Sequence, residues 1–103
     1  MSVLTEFAIF PLDAGKSLSE IVSKVIAYIS QTGFNYQLTS MGTIIETPTL
    51  TDALDIINQS YIILEPYSDR VYCSAKFDIQ KDKNQRLEGK VASIEKIIGN
   101  VKK

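Results

Sequence analysis

Residues 36–47 read YQLTSMGTIIET. A run of strand formers over 36–39 breaks at Ser40-Met41-Gly42 and resumes as Thr43-Ile44-Ile45-Glu46. Aromatic and β-branched residues on both sides of a short glycine-containing break describe a β-hairpin. The stretch carries more hydroxyl and carboxylate than a hairpin requires, so its polar residues are also candidates for the wall of a pocket.

Upstream of the hairpin, 17–32 reads as a helix. Ser17 and Glu20 have the spacing of a capping box. Leu18, Ile21, Val22, Val25, Ile26 and Ile29 keep the i, i+3, i+4 rhythm of one buried face, and Gly33 suits the left-handed position that ends a helix. Before that helix, 3–10 is a strand closed by Pro11. Downstream, Thr49 or Thr51 can cap a second helix whose apolar positions are Leu50, Ala53, Leu54, Ile57, Tyr61 and Leu64. Pro66 disfavours helical geometry at Glu65 and should stop it. Residues 70–79 alternate, with Val71, Cys73, Ala75, Phe77 and Ile79 on one face and Tyr72, Ser74, Lys76 and Asp78 on the other. After the polar loop 80–85, Leu87, Val91, Ile94, Ile98 and Val101 form a third helical stripe.

The order is β-α-β-β-α-β with an additional C-terminal helix. Two split β-α-β units around a central hairpin are the pattern of the ferredoxin-like α+β sandwich, here expected as one domain over 1–103. Both helices then cover one face of a four-stranded antiparallel sheet. The other face takes Tyr72, Ser74, Lys76 and Asp78, together with either Leu4, Glu6, Ala8 and Phe10 or Val3, Thr5, Phe7 and Ile9. Such a mixed face suits a subunit interface, so a homodimer or homotetramer through the sheet is expected.

Composition narrows the function. The formal net charge is −1 and the only basic block is Lys102-Lys103, which disfavours nucleic acid. No apolar run is long enough for a membrane span, and the start of the chain lacks a signal-peptide pattern, so a cytoplasmic location is the default. With no histidine and one cysteine, Ser–His and Cys–His catalysis and a dedicated zinc or copper site are not expected. Cys73, on the apolar face of its strand, reads as a small buried hydrophobe.

Glu6 and Glu46 each sit in a strand, where glutamate is disfavoured. With Arg70 and Lys76 they could line a charged cluster on neighbouring strands, or they are surface ion pairs worth about 0–1 kcal/mol each. A carboxylate in a partly apolar pocket can accept two hydrogen bonds from an amidine-like edge, and Tyr36 or Tyr72 could stack on a flat ring. Ser17 and Ser19 follow a glycine at a helix start; capping explains them without an anion site.

"EFAIFPLDAGKSLSEIV", "NYQLTSMGTIIET", "DRVYCSAKFDI" and "LEGKVASIEK" occur in that order. Together they resemble the small thiamine-binding protein family, over nearly the whole chain. The resemblance implies a ferredoxin-like fold, dimers through the sheets that often pair into tetramers, and binding of thiamine or its hydroxymethylpyrimidine moiety without catalysis or a cofactor. The positions it marks as ligand-binding are Glu6, Ser17, Ser19, Tyr36, Thr39, Met41, Gly42, Thr43, Glu46, Arg70 and Lys76. Two departures stand out: Asp13 replaces the glycine usual after Pro-Leu, and Gln80-Lys81-Asp82-Lys83 replaces a basic pair. Three other readings share the topology. An acylphosphatase needs an arginine in the first loop, where only Lys16 is present. An RNA-recognition module needs aromatics on the central strands. A structural or regulatory homo-oligomeric domain without a thiamine site is the serious rival.

Overall fold

The computed structural model of the chain describes residues 1–15, 18–87 and 99. Its elements are β1 (Ser2–Pro11), α1 (Leu18–Gln31), β2 (Tyr36–Thr39), β3 (Gly42–Thr47), α2 (Leu50–Leu64), a 3₁₀ turn (Glu65–Tyr67) and β4 (Val71–Gln80). The sheet order is β2-β3-β1-β4, with every neighbouring pair antiparallel. This is the arrangement anticipated from the central hairpin. Arg86 and Leu87 are helical; the rest of the expected C-terminal helix, and Ser17, lie outside the described residues.

The sequence left the facing of β1 open, and the structure resolves it. Phe7 and Ile9 are buried against the helices with Ile45 of β3 and with Ile21, Val25 and Ile29 of α1, and Val3, on the same face, is fully buried. Leu4, Glu6, Ala8 and Phe10 therefore lie on the open face, in register with Asp78, Lys76, Ser74 and Tyr72 of β4. The Phe10 and Tyr72 rings, directly opposite, have centroids 5.6 Å apart, within the range of a favourable tilted pair.

Helix α2 starts at Thr49, whose hydroxyl accepts from the Asp52 N–H at 3.1 Å. The α-helix ends at Leu64, near the expected stop, but Glu65 keeps helical dihedrals (φ −52°, ψ −44°) despite the following Pro66, and the chain continues as the short 3₁₀ turn. The buried stripe differs from the one expected. It runs Ala53, Ile56, Ser60, Leu64, while Leu54 and Tyr61 are exposed. A polar residue in this stripe obscured it. The Ser60 hydroxyl donates to the Ile56 carbonyl at 2.7 Å, which removes the cost of burying it.

The largest departure is β4. Cys73, Ala75, Phe77 and Ile79 share the helix-side face with Val3, Thr5, Phe7 and Ile9, as the alternation required. Yet nearly the whole strand is exposed, and Cys73 is an exposed free thiol rather than a buried hydrophobe. Alternation reports which face a side chain takes, not whether a layer covers it. The two helices cover β1 and β3 and leave β4 largely bare.

One buried group is unsatisfied. Thr5 is fully buried between Ile45 and Phe77 in the register, and its hydroxyl has no hydrogen-bond partner among the described residues. An unpaired buried hydroxyl costs about 1–3 kcal/mol. Thr5→Val keeps the shape and removes that cost, so it should raise Tm by roughly 4–8 °C for each kcal/mol gained, read by thermal unfolding.

Candidate functional site

Strand β1 outruns its partner on one side. Its last pair with β3 is Phe7–Thr43, whereas its pairing with β4 continues to Pro11–Val71. Beyond Phe7, the edge of β1 that faces the hairpin carries backbone groups without a ladder partner. Helix α1 passes over this stretch and the β2–β3 turn closes it. The result is a groove of about 270 Å³. Its floor is apolar, from Phe7, Ile9, Val22, Val25 and Ile26, and its rim is polar, from Thr39, Ser40 and Thr43.

Gly42 sets the width of the groove. Its φ is +153°, and a Cβ placed there would lie 2.7 Å from the Phe7 carbonyl oxygen. Only glycine lets the turn press this closely on β1. The Thr39 hydroxyl donates to the Gly42 carbonyl at 2.9 Å and accepts from the Met41 N–H at 3.2 Å, which fixes the turn and leaves Met41 projecting, 84% exposed.

Met41 also borders a second hollow of about 240 Å³ with Phe7, Ala8, Glu6, Ser74 and Lys76. Here Glu6 and Lys76, register partners on β1 and β4, have charged atoms 4.0 Å apart. Both side chains are at least half exposed, so the pair contributes little to stability. Glu6, Thr39, Met41, Gly42, Thr43 and Lys76 are thus brought together around one turn. Ser19 lies about one helical turn before Val22 on α1, is exposed and does not line the groove.

The other expected positions lie elsewhere. Tyr36 opposes Ile45 on the hairpin edge and is 38% exposed. Arg70 is in the turn before β4, where its carbonyl accepts from the Leu12 N–H at 2.8 Å. Asp13, the departure in the first loop, braces that same turn: its carboxylate accepts from the Ser68 hydroxyl and from the Asp69 N–H. These contacts, the Ser68 bond foremost, hold the Asp13 carboxyl below its ordinary pKa against a smaller opposing effect of desolvation.

Glu46 sits at the far end of β3, and sequence reasoning gave no sign of what it touches. Its carboxylate accepts from the Ser2 hydroxyl at 2.5 Å and from the backbone N–H groups of Arg86 at 2.8 Å and Leu87 at 3.1 Å. Burial alone would raise its pKa; these three donors and the Arg86 charge outweigh it and hold the carboxyl below the usual glutamate value. Arg86 completes the knot. Its guanidinium donates to the carbonyls of Ser2 at 2.7 Å and Asp78 at 2.5 Å, and meets the Asp78 carboxylate at 2.9 Å. A separate cleft of about 260 Å³ adjoins this knot, bordered by Phe34, Asn35, Thr47 and Asn84.

Among the described residues, no helix is long and apolar enough to cross a membrane, and no three acidic or cysteine side chains group as metal ligands would. Cys73 has its thiol pKa pushed up by desolvation, which disfavours the reactive thiolate.

The chain is 32% identical over 92 residues to the UPF0045 protein MJ1052 of Methanocaldococcus jannaschii, covering 89% of this chain and 91% of that one. A UPF0045 protein of Methanothermobacter thermautotrophicus is 28% identical over 98 residues, covering 93% and 99%. The crystal structure of MJ1052 superposes with a TM-score of 0.77 over 93% of this chain and 98% of that chain. That of a candidate thiamine biosynthesis/salvage protein from Thermotoga maritima gives 0.78 over 91% and 99%, at 20% identity, and shares the fold. The sequence model of the thiamine-binding proteins matches residues 5–95. The chain belongs to the thiamine-binding protein family.

Proposed function

We propose that the groove beside the Met41-Gly42-Thr43 turn binds thiamine or its hydroxymethylpyrimidine moiety, and that the protein binds this ligand without transforming it. The observation that carries the reading is the open edge of β1 beyond Phe7, set over an apolar floor. An aminopyrimidine is a flat ring with a donor and an acceptor side by side on one edge. A strand edge offers the complementary acceptor and donor, and Val22 and Ile26 suit the ring face. The volume, about 270 Å³, suits one ring system rather than a larger molecule. Glu6 lines the adjoining hollow across Met41 and would meet the cationic thiazolium if whole thiamine binds. Glu46, already holding three donors at the other end of β3, has a structural use instead. Ser17, Ser19, Tyr36 and Arg70 have no part in this reading. The open face of the sheet is the surface through which two copies would associate.

Calorimetric titration with thiamine and with the free pyrimidine tests the reading. Val22→Trp fills the groove from a half-buried position, and should weaken binding at least tenfold while the fold holds. Glu6→Gln should weaken thiamine about tenfold and the neutral pyrimidine little, since a charged partner is worth about 1.5–3 kcal/mol. If Val22→Trp binds like the parent and Glu46→Gln does not, the ligand sits in the cleft near Glu46 and the groove reading is wrong.

A further inference from the structure

The groove and the hollow beside it share three lining residues, Phe7, Ala8 and Met41, but differ in their charge. No residue that lines the groove is charged. The hollow holds both signs, because Glu6 and Lys76 line it together with Ser74. The charged atoms of Glu6 and Lys76 are 4.0 Å apart, at the outer limit of an ion pair, and their side chains are 50% and 80% exposed. A pair so open to water gains little by staying together. Both charges can therefore turn to a ligand at little cost.

The pairing of signs selects among ligands. A ligand with a cation alone sets it beside Lys76 as well as Glu6. One with an anion alone sets it beside Glu6 as well as Lys76. One that carries a cation and an anion a few bonds apart replaces a single weak contact with two favourable ones. We infer that the hollow takes a cationic ring bearing a phosphate monoester on a short tether, with the ring beside Glu6 and the phosphate on Lys76. The inference rests on the groove reading, leaves the pyrimidine where that reading puts it, and names the form preferred: the monophosphate ester of thiamine over thiamine itself. A phosphate monoester carries close to two negative charges at neutral pH and three acceptor oxygens. Lysine meets such a group as a mobile point charge that needs no fixed fork, and the Ser74 hydroxyl offers a second donor in the same hollow. Because Lys76 is mostly exposed, the gain is modest and salt screens it.

The test is calorimetric titration of the whole chain with four compounds: thiamine, thiamine monophosphate, hydroxymethylpyrimidine and its monophosphate ester. Thiamine monophosphate should bind about fivefold tighter than thiamine at low ionic strength, and the difference should vanish near about 1 M salt. Lys76→Gln should bring the two affinities within about twofold of each other, and Lys76→Arg should keep the preference. Position 76 is exposed, so both variants should fold, which thermal unfolding checks. The pyrimidine monophosphate has the anion without the ring cation, leaves Glu6 facing its phosphate, and should gain less over its parent alcohol than thiamine monophosphate does. An equal gain in both esters would reveal a general anion site and overturn the paired-charge inference. So would a preference that survives Lys76→Gln. If thiamine and the pyrimidine bind but phosphate adds nothing, this inference falls and the groove reading stands; if none of the four binds, both fall.

Discussion

Arg86→Ala should lower stability by about 3 kcal/mol and Tm by roughly 10–20 °C. The side chain is only 12% exposed, and it joins the start of β1, the end of β4 and the start of the 86–87 helical turn through Ser2, Asp78 and the neighbourhood of Glu46. Removing it strips the Ser2 and Asp78 carbonyls of a charged donor and leaves Glu46 part-buried without its nearby cation. Thermal unfolding checks this; a loss below about 1 kcal/mol would show that water replaces the guanidinium freely. The same knot sets an acid limb. The folded-state pKa of Glu46 lies below its unfolded value, so its contribution is fully present above the unfolded pKa and disappears as pH falls through the folded one. Glu46→Gln should remove that part of the pH dependence, which makes the acid limb of stability shallower.

Gly42→Ala should cost about 3 kcal/mol and close the groove. Two effects add: a φ of +153° that side chains rarely adopt, and a Cβ 2.7 Å from the Phe7 carbonyl oxygen, a backbone atom held in the central strand. The turn must then lift from β1, which breaks the last Phe7–Thr43 pair and moves Thr39 and Met41 off the rim. A loss of ligand affinity larger than the loss of stability alone would produce is the expected result. Gly33→Ala is the control. It has positive φ but open space around it, so it should cost only the conformational strain, about 1 kcal/mol.

The elements were legible because their periodicity is strong. The hairpin, the first helix and the four strands follow from alternation, turn residues and the Gly33 and Pro66 stops. Three things were not, each for a physical reason. The buried stripe of α2 was ambiguous because that helix is apolar on more than one side, and Ser60 hides in the stripe through a bond to its own helix. The exposure of β4 depends on where two helices lie in space, which alternation does not encode. The role of Glu46 depends on donors 40 and 41 positions later in the chain. The Met-Gly-Thr turn was legible as a unit; that β1 runs past it to leave an open edge was not, because strand lengths on neighbouring strands are set by tertiary pairing.

The pairing of Ser2 with Gln80 has a consequence for how the chain is made. Of the four described strands, β1 is made first and lies inside the sheet, and one of its two neighbours, β4, is made last. Until residue 80 emerges, β1 can pair only with β3, and its other edge stays open through the synthesis of α2. Closing so long a loop carries an entropic cost that only the completed register repays. The nascent chain therefore passes through a stage with one central edge bare and apolar, the stage at which a crowded or overheated cell would lose it to aggregation.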